Sequence, residues 1–160
     1  MPQSNITKRK PDPFIMKEDI VNEAVYHFLC QKGFSNVRFL RGKVQGIDVQ
    51  GQKDQWDLWV ESKGSTGNDA TEDMVFDNGQ IKTHADRQIM KLMEYANAPK
   101  DKVLFVMANP DIPRIRTRIY MVKNLLDKMC FIQFWVQKDL SIKVEYPSNM
   151  EDTLLELSLI

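Results

Sequence analysis

The run Val103-Leu-Phe-Val-Met107 is the feature that most restricts what this chain can become. Five consecutive apolar residues leave no side for water, so a strand here must be covered on both faces. Pro99 precedes the run, and Asn109, Pro110 and Pro113 close it, which gives it the length of a strand rather than of a helix. Layers on both sides of a sheet follow, and with them an α/β architecture in which helices flank a mixed sheet.

The rest of the chain supplies those layers. Ile20, Val21, Ala24, Val25, Phe28 and Leu29 recur at helical spacing and predict a helix over 17–32, ended by Gly33. Three strands are expected next, at 36–40, 46–50 and 55–63, with Gly42, Gly46, Gly51 and Gly64 as punctuation. Residues 64–78 are too polar for a core and read as a long loop, either a mobile lid or a segment ordered on binding. Ile81, Ile89, Leu92, Met93 and Ala96 predict a second helix over 79–98. After the apolar strand, a third helix is expected between Arg114 and Lys128, then strands at 131–136 and 141–146 around a turn near Lys138 and Asp139. The tail from Glu151 is apolar enough to dock.

A length of 160 residues with 42% apolar content suits one domain, here 14–160, preceded by a polar, proline-containing arm over 1–13 that is expected to be flexible. Lys8, Arg9 and Lys10 belong to that arm as a solvated tail. Twenty-two basic and 22 acidic residues balance to a formal charge of zero, so no global field attracts a polyanion and any nucleic-acid contact rests on local patches. The start has no apolar signal segment, and no later run could span a bilayer, which points to a cytoplasmic chain with no membrane partner. Cys30 and Cys130 lack zinc-site spacing and are expected as reduced core residues.

Chemistry concentrates where two strands meet. In Trp-Val-Glu61-Ser-Lys63-Gly, strand alternation turns Glu61 and Lys63 to the same face. Asp48, in Gly46-Ile-Asp48-Val, approaches Glu61 if 46–50 pair antiparallel with 58–63. Two converging carboxylates repel unless a cation lies between them, and hard oxygen ligands suit Mg²⁺, with Mn²⁺ as a substitute. Such an ion, with Lys63 orienting a water or stabilising developing charge, is the equipment of phosphodiester hydrolysis. Asp57 shares strand parity with Glu61, but a strand-edge role suits it and Asp54 better. Trp56, Trp59 and Trp135 are expected in apolar packing rather than stacked on bases.

Gly-x-Asp48, twelve intervening residues and then Glu61-x-Lys63 after an apolar strand resemble the PD-(D/E)xK nuclease superfamily. The compact layout, with Gly33-Phe34 leading from a helix to a strand, is similar to archaeal Holliday junction resolvases and to restriction-endonuclease-like Mrr proteins. The resemblance covers roughly residues 17 to 110 and implies a restriction-endonuclease-like αβββαβ core. It implies a metal-dependent endonuclease acting on DNA, with Asp48, Glu61 and Lys63 catalytic. Relatives carry a first-helix glutamate about three turns before the helix-ending glycine. Counting back from Gly33 lands on Asn22, so Glu23, or else Glu18, is expected to join Asp48 and Glu61 as a metal ligand.

On the following helix, relatives place glutamine or basic residues near the metal or phosphate, which makes Gln80, Lys82, Arg87 and Gln88 candidate DNA or phosphate contacts, with His84 beside them. Arg114, Arg116 and Arg118 form a local basic cluster, expected either to track a phosphate backbone or to be a solvated helical face. A homodimer fits cleavage of two strands. The rival expectations are a non-catalytic nucleic-acid-binding or assembly module on the same fold, and a nuclease acting on RNA.

Overall fold

The computed structural model describes residues 11–71, 74–98 and 100–160. Lys8, Arg9 and Lys10 of the predicted arm lie outside them. In chain order the elements are α1 (Glu18–Gln31), β1 (Ser35–Phe39), β2 (Val49–Lys53), β3 (Trp56–Ser62), α2 (Asn78–Ala96), β4 (Val103–Pro110), α3 (Pro113–Tyr120), α4 (Lys123–Lys128), β5 (Ile132–Val136) and β6 (Ile142–Glu145). A 3₁₀ turn (Ser148–Met150) and α5 (Glu151–Glu156) complete the chain.

The six strands form one mixed sheet in the order β1-β2-β3-β4-β5-β6. β1, β2 and β3 are an antiparallel meander, β3-β4 and β4-β5 are parallel, and β5-β6 is antiparallel. β4 is central, as its unbroken apolar run requires, and its side chains divide between two cores. Leu104, Val106 and Ala108 join Val21, Val25 and Leu29 of α1, with Leu58, Val60 and Phe134. Met107, on the opposite face, packs with Ile81 and Leu92 of α2, Ile115 and Ile119 of α3, and Trp135. Helices therefore cover both faces of an α/β domain. Leu154, Leu157 and Leu159 of the C-terminal tail close the α1 side.

Several elements differ from the sequence expectation. The second strand begins at Val49 rather than at 46, and it contains Gly51 instead of ending there. A Cβ at Gly51 would stand 3.3 Å from Val37 and 3.4 Å from Phe34, so this glycine serves close packing within a strand. The single helix expected over 114–128 is two, because Val122 (φ −123°, ψ 19°) leaves helical geometry between them. Cys30 is exposed and Cys130 half-buried, so neither is a core residue. The polar 64–78 segment is pinned near both ends. Ser65 and Thr66 are buried, Ser65 N donates to Met16 O at 2.8 Å, and Phe76 N donates to Ser65 O at 2.9 Å.

Candidate active site

The register of β2 against β3 pairs Val49 with Val60, and one further step brings Asp48 opposite Glu61. Asp48 is held twice. Its carbonyl accepts from Leu40 N at 2.8 Å, and its Oδ2 accepts from Ser62 N at 2.8 Å. Glu61 is 1% exposed at the C-terminal end of β3, on the face that meets α2. Its Oε1 lies 3.2 Å from Lys91 Nζ and 3.9 Å from Lys63 Nζ, whereas Oε2 is buried with no hydrogen-bond partner. Burial first, and then the charge of Asp48, push the Glu61 carboxyl up to about 8 even though Lys91 and Lys63 pull it down.

Lys63 continues the strand ladder, its N–H donating to Ala108 O at 3.0 Å, and its ammonium also reaches Glu18 Oε2 at 3.7 Å. Glu18 opens α1, and its position depends on Gly64. A Cβ at Gly64 would fall 2.5 Å from Glu18 N and 2.8 Å from Met16 O, so only glycine lets the start of α1 lie directly against the end of β3. A parallel bridge between Lys17 and Thr66 and the bond from Met16 N to Ser65 Oγ (2.9 Å) fasten the contact. Burial raises the Glu18 carboxyl above its ordinary value, Lys63 opposes this, and Asp48 adds to it.

Glu23 does not reach this site. It is half-exposed beside His27 (4.0 Å) and Arg41 (3.8 Å), which corrects the choice of first-helix acid in favour of Glu18. Asn22, one turn after Glu18 on the same side of the helix, is 2% exposed and donates to Leu40 O at 3.2 Å, with its Oδ1 left unpartnered. At the position that the spacing from Gly33 singles out, this chain has a buried amide, and the helix acid nearest Lys63 stands one turn earlier.

Helix α2 forms the opposite wall. Gln88 is fully buried and donates to Glu61 O at 2.8 Å and Ala108 O at 3.3 Å, so it fixes the backbone of the site instead of meeting a phosphate. Lys91, which sequence reasoning missed, donates to Gly46 O at 3.2 Å besides facing Glu61, and Tyr95 OH donates to the same carbonyl at 3.3 Å. Gly46 has φ +137°, a conformation open to glycine and rare for other residues, and this aims its carbonyl at α2. Sequence did hold a signal for Lys91, a lysine at the edge of the buried stripe of Ala85, Gln88 and Leu92. His84 stacks on Phe76 (4.4 Å between ring centres); burial, with Lys63 and Arg87 nearby, keeps its pKa below the ordinary value.

The remaining predicted contacts separate into two groups. Lys82 and Arg87 are exposed on α2. Gln80 is occupied by the capping box of α2, exchanging hydrogen bonds with Asp77. Arg114 is bound to Asp12 (2.8 and 2.6 Å) and Phe76 O, Arg116 to Asp111, and Arg118 to Asp86 (2.7 Å). Three arginines at alternate positions thus serve three separate ion pairs and form no common phosphate track. Asp57 is held by Lys100 at 2.6 Å at the other end of β3, the strand-edge role expected of it.

Among the described residues, no set of three or more His, Cys, Asp and Glu side chains gathers as a metal cage. The acids stand instead as a close pair, Asp48 and Glu61, with Glu18 linked to them through Lys63. A pair is what Mg²⁺ needs from a protein when waters and substrate oxygens complete its shell, and the unpartnered Glu61 Oε2 fits such an ion. The chain matches no family model, no curated protein and no solved structure. Among the described residues, no helix is long and apolar enough to cross a membrane.

Proposed function

We propose that this protein is a metal-dependent nuclease that hydrolyses phosphodiester bonds in DNA. The observation that carries this reading is Glu61, an almost fully buried carboxylate with one oxygen unpartnered, facing Asp48 and two lysines at the Gly-x-Asp, Glu-x-Lys spacing. A charge so placed is costly unless a ligand completes it. Asp48 and Glu61 would hold Mg²⁺ or Mn²⁺, with Glu18 close enough to act through water. When bound, the ion supplies charge neutralisation at the scissile phosphate and a water of lowered pKa.

The chain's own residues do the remainder. Asp48 is locked by Ser62 N, and Glu61 by the Gln88 clamp on its backbone, so both present their oxygens without reorganisation. In hydrolysis a water oxygen bonds to phosphorus while the leaving ester oxygen departs and gains a proton. Lys63, on the same face as Glu61, orients that water or stabilises the negative charge building on the phosphoryl oxygens. Lys82 and Arg87, exposed on α2, and His84 remain the residues of that helix free to meet flanking phosphates in this reading.

A second reading rests on the lysines. Lys63 and Lys91 already neutralise much of the acidic pair, as they would in a nucleic-acid-binding module without turnover. Incubation with supercoiled plasmid, linear duplex, single-stranded DNA, a branched junction and RNA, in Mg²⁺, Mn²⁺ or EDTA, separates the two. Metal-dependent cutting that falls at least about 10²-fold in Glu61→Ala and Lys63→Ala supports the nuclease. Binding without cutting, undiminished in both variants, supports the module, and cutting confined to RNA changes the substrate.

A further inference from the structure

A cation already stands beside the acidic pair. Lys91 Nζ is 3.2 Å from Glu61 Oε1 and 3.2 Å from Gly46 O, and its field also reaches Asp48. A carboxylate and a backbone carbonyl, beside a second carboxylate, are the donors a hard divalent cation takes. Lys91 also differs from Lys63 in how it is held. Its side chain is 34% exposed against 19% for Lys63, and its four-carbon stem can withdraw to solvent with its charge intact.

We propose that Lys91 is a built-in stand-in for the metal, an ammonium that holds the Asp48–Glu61 pair together in the metal-free chain and is displaced when a divalent cation binds. The inference rests on the metal-site reading above. Its logic is electrostatic. In the fully ionised state that a metal requires, Glu18, Asp48 and Glu61 stand against Lys63 and Lys91, and the site carries one excess negative charge. Without Lys91 the excess becomes two, and the fold must hold Glu61 and Asp48 together with Lys63 alone. An entering divalent ion that takes the place of Lys91 brings the excess from one negative to zero, so the site stops repelling a phosphate only after the metal has arrived. Lys91 therefore sets metal affinity as a competitor, which is the reverse of what a ligand-supporting residue does.

That reversal is the test. Mn²⁺ is titrated into the full chain in its wild-type, Lys91→Met, Lys91→Gln, Lys91→Arg and Glu61→Gln forms, with free Mn²⁺ read by electron paramagnetic resonance and folding checked by circular dichroism. Lys91→Gln retains a hydrogen-bond donor for Gly46 O while removing the charge, so it remains informative if the methionine variant fails to fold. The expected result is Mn²⁺ binding about tenfold tighter in the two neutral variants, with Lys91→Arg close to wild type, as befits removal of one competing charge at this distance. Wild-type binding that is unchanged or weakened in folded Lys91→Gln overturns the stand-in role and leaves the metal site intact. Wild-type binding no stronger than that of Glu61→Gln overturns the metal site itself, and the role of Lys91 with it.

Discussion

Two charge clusters lie on the α2–α3 side of this sheet, and they are built on opposite terms. Around Asp111, every strong group is answered. Arg116 binds Oδ1 of Asp111 and lies over the Trp135 ring (4.3 Å), Gln137 donates to Oδ2 at 2.8 Å, and Tyr120 donates to Glu145 at 2.8 Å. The Arg116 hydrogen bond holds the Asp111 carboxyl below its ordinary value. Around Glu61, burial and a neighbouring carboxylate push the group up, and one oxygen has no partner. The first cluster stabilises the fold, whereas the second is tolerated by it. Carboxylates raised by desolvation and like charge in a shared site are a feature of functional sites, where such shifts cluster.

The largest expected effect comes from dismantling the strained cluster at its hinge. In Gly64→Ala the new methyl would meet the backbone at Glu18 2.5 Å away, and neither chain segment can yield without losing the bridge between Lys17 and Thr66. A loss of about 4 kcal/mol or more is expected in urea unfolding, at the upper end for a single substitution. A loss below about 1 kcal/mol would mean that the start of α1 is not seated against β3 as described.

Next in size, and opposite in sign, is Glu61→Gln. A carboxyl that titrates at about 8 in the fold against 4.5 in its unperturbed state favours the protonated form. Its stabilising contribution is complete below 4.5 and is lost as pH rises toward 8. The amide does not titrate, so in EDTA at pH 9 the variant should be more stable than wild type by about 3 kcal/mol, the gain shrinking to near zero below pH 4.5. Saturating Mn²⁺ should reverse the order, because only wild type gains binding energy. A destabilised variant at pH 9 in EDTA would remove the contrast between the clusters.

Asp111→Ala tests the other side of the comparison. It leaves Arg116, 27% exposed, without its carboxylate, and about 2 kcal/mol should be lost at pH 7. Because the folded value lies below 3.8, the Asp111 contribution is present above that pH and fades only as pH falls through the folded value. The two variants should therefore show opposite slopes of stability difference against pH, Glu61→Gln gaining with rising pH and Asp111→Ala losing least in acid. Parallel slopes would show that the clusters do not differ in kind.

What the sequence made legible follows the reach of each rule. That Asp48, Glu61 and Lys63 come together was legible because strand parity and hairpin pairing are local, and both rules survive a second strand that starts three residues late. The choice between Glu18 and Glu23 was not local. It depends on an approach between α1 and β3 that only the missing side chain of Gly64 permits, and in the sequence that glycine reads merely as a strand terminator. The arginines misled for a related reason. Arg114, Arg116 and Arg118 are a basic run in one dimension, but Asp12, Asp111 and Asp86 come to them from three distant parts of the chain.

The smallest expected effect is also the sharpest on that point, because it compares two glutamates on one helix. Burial raises Glu18 above its ordinary value, so its stabilising contribution falls as pH rises past 4.5, and Glu18→Gln should gain slightly at pH 7 in EDTA, by less than about 1 kcal/mol given the offsetting contact with Lys63. Glu23→Gln loses only exposed contacts with His27 and Arg41 and should stay within about 0.5 kcal/mol of wild type. Mn²⁺ affinity separates them further, weakening in Glu18→Gln and unchanged in Glu23→Gln. The reverse pattern would return the first-helix acid to Glu23 and require α1 to turn by more than a quarter of its circumference, which the buried Asn22, Val25 and Leu29 on its present inner face oppose.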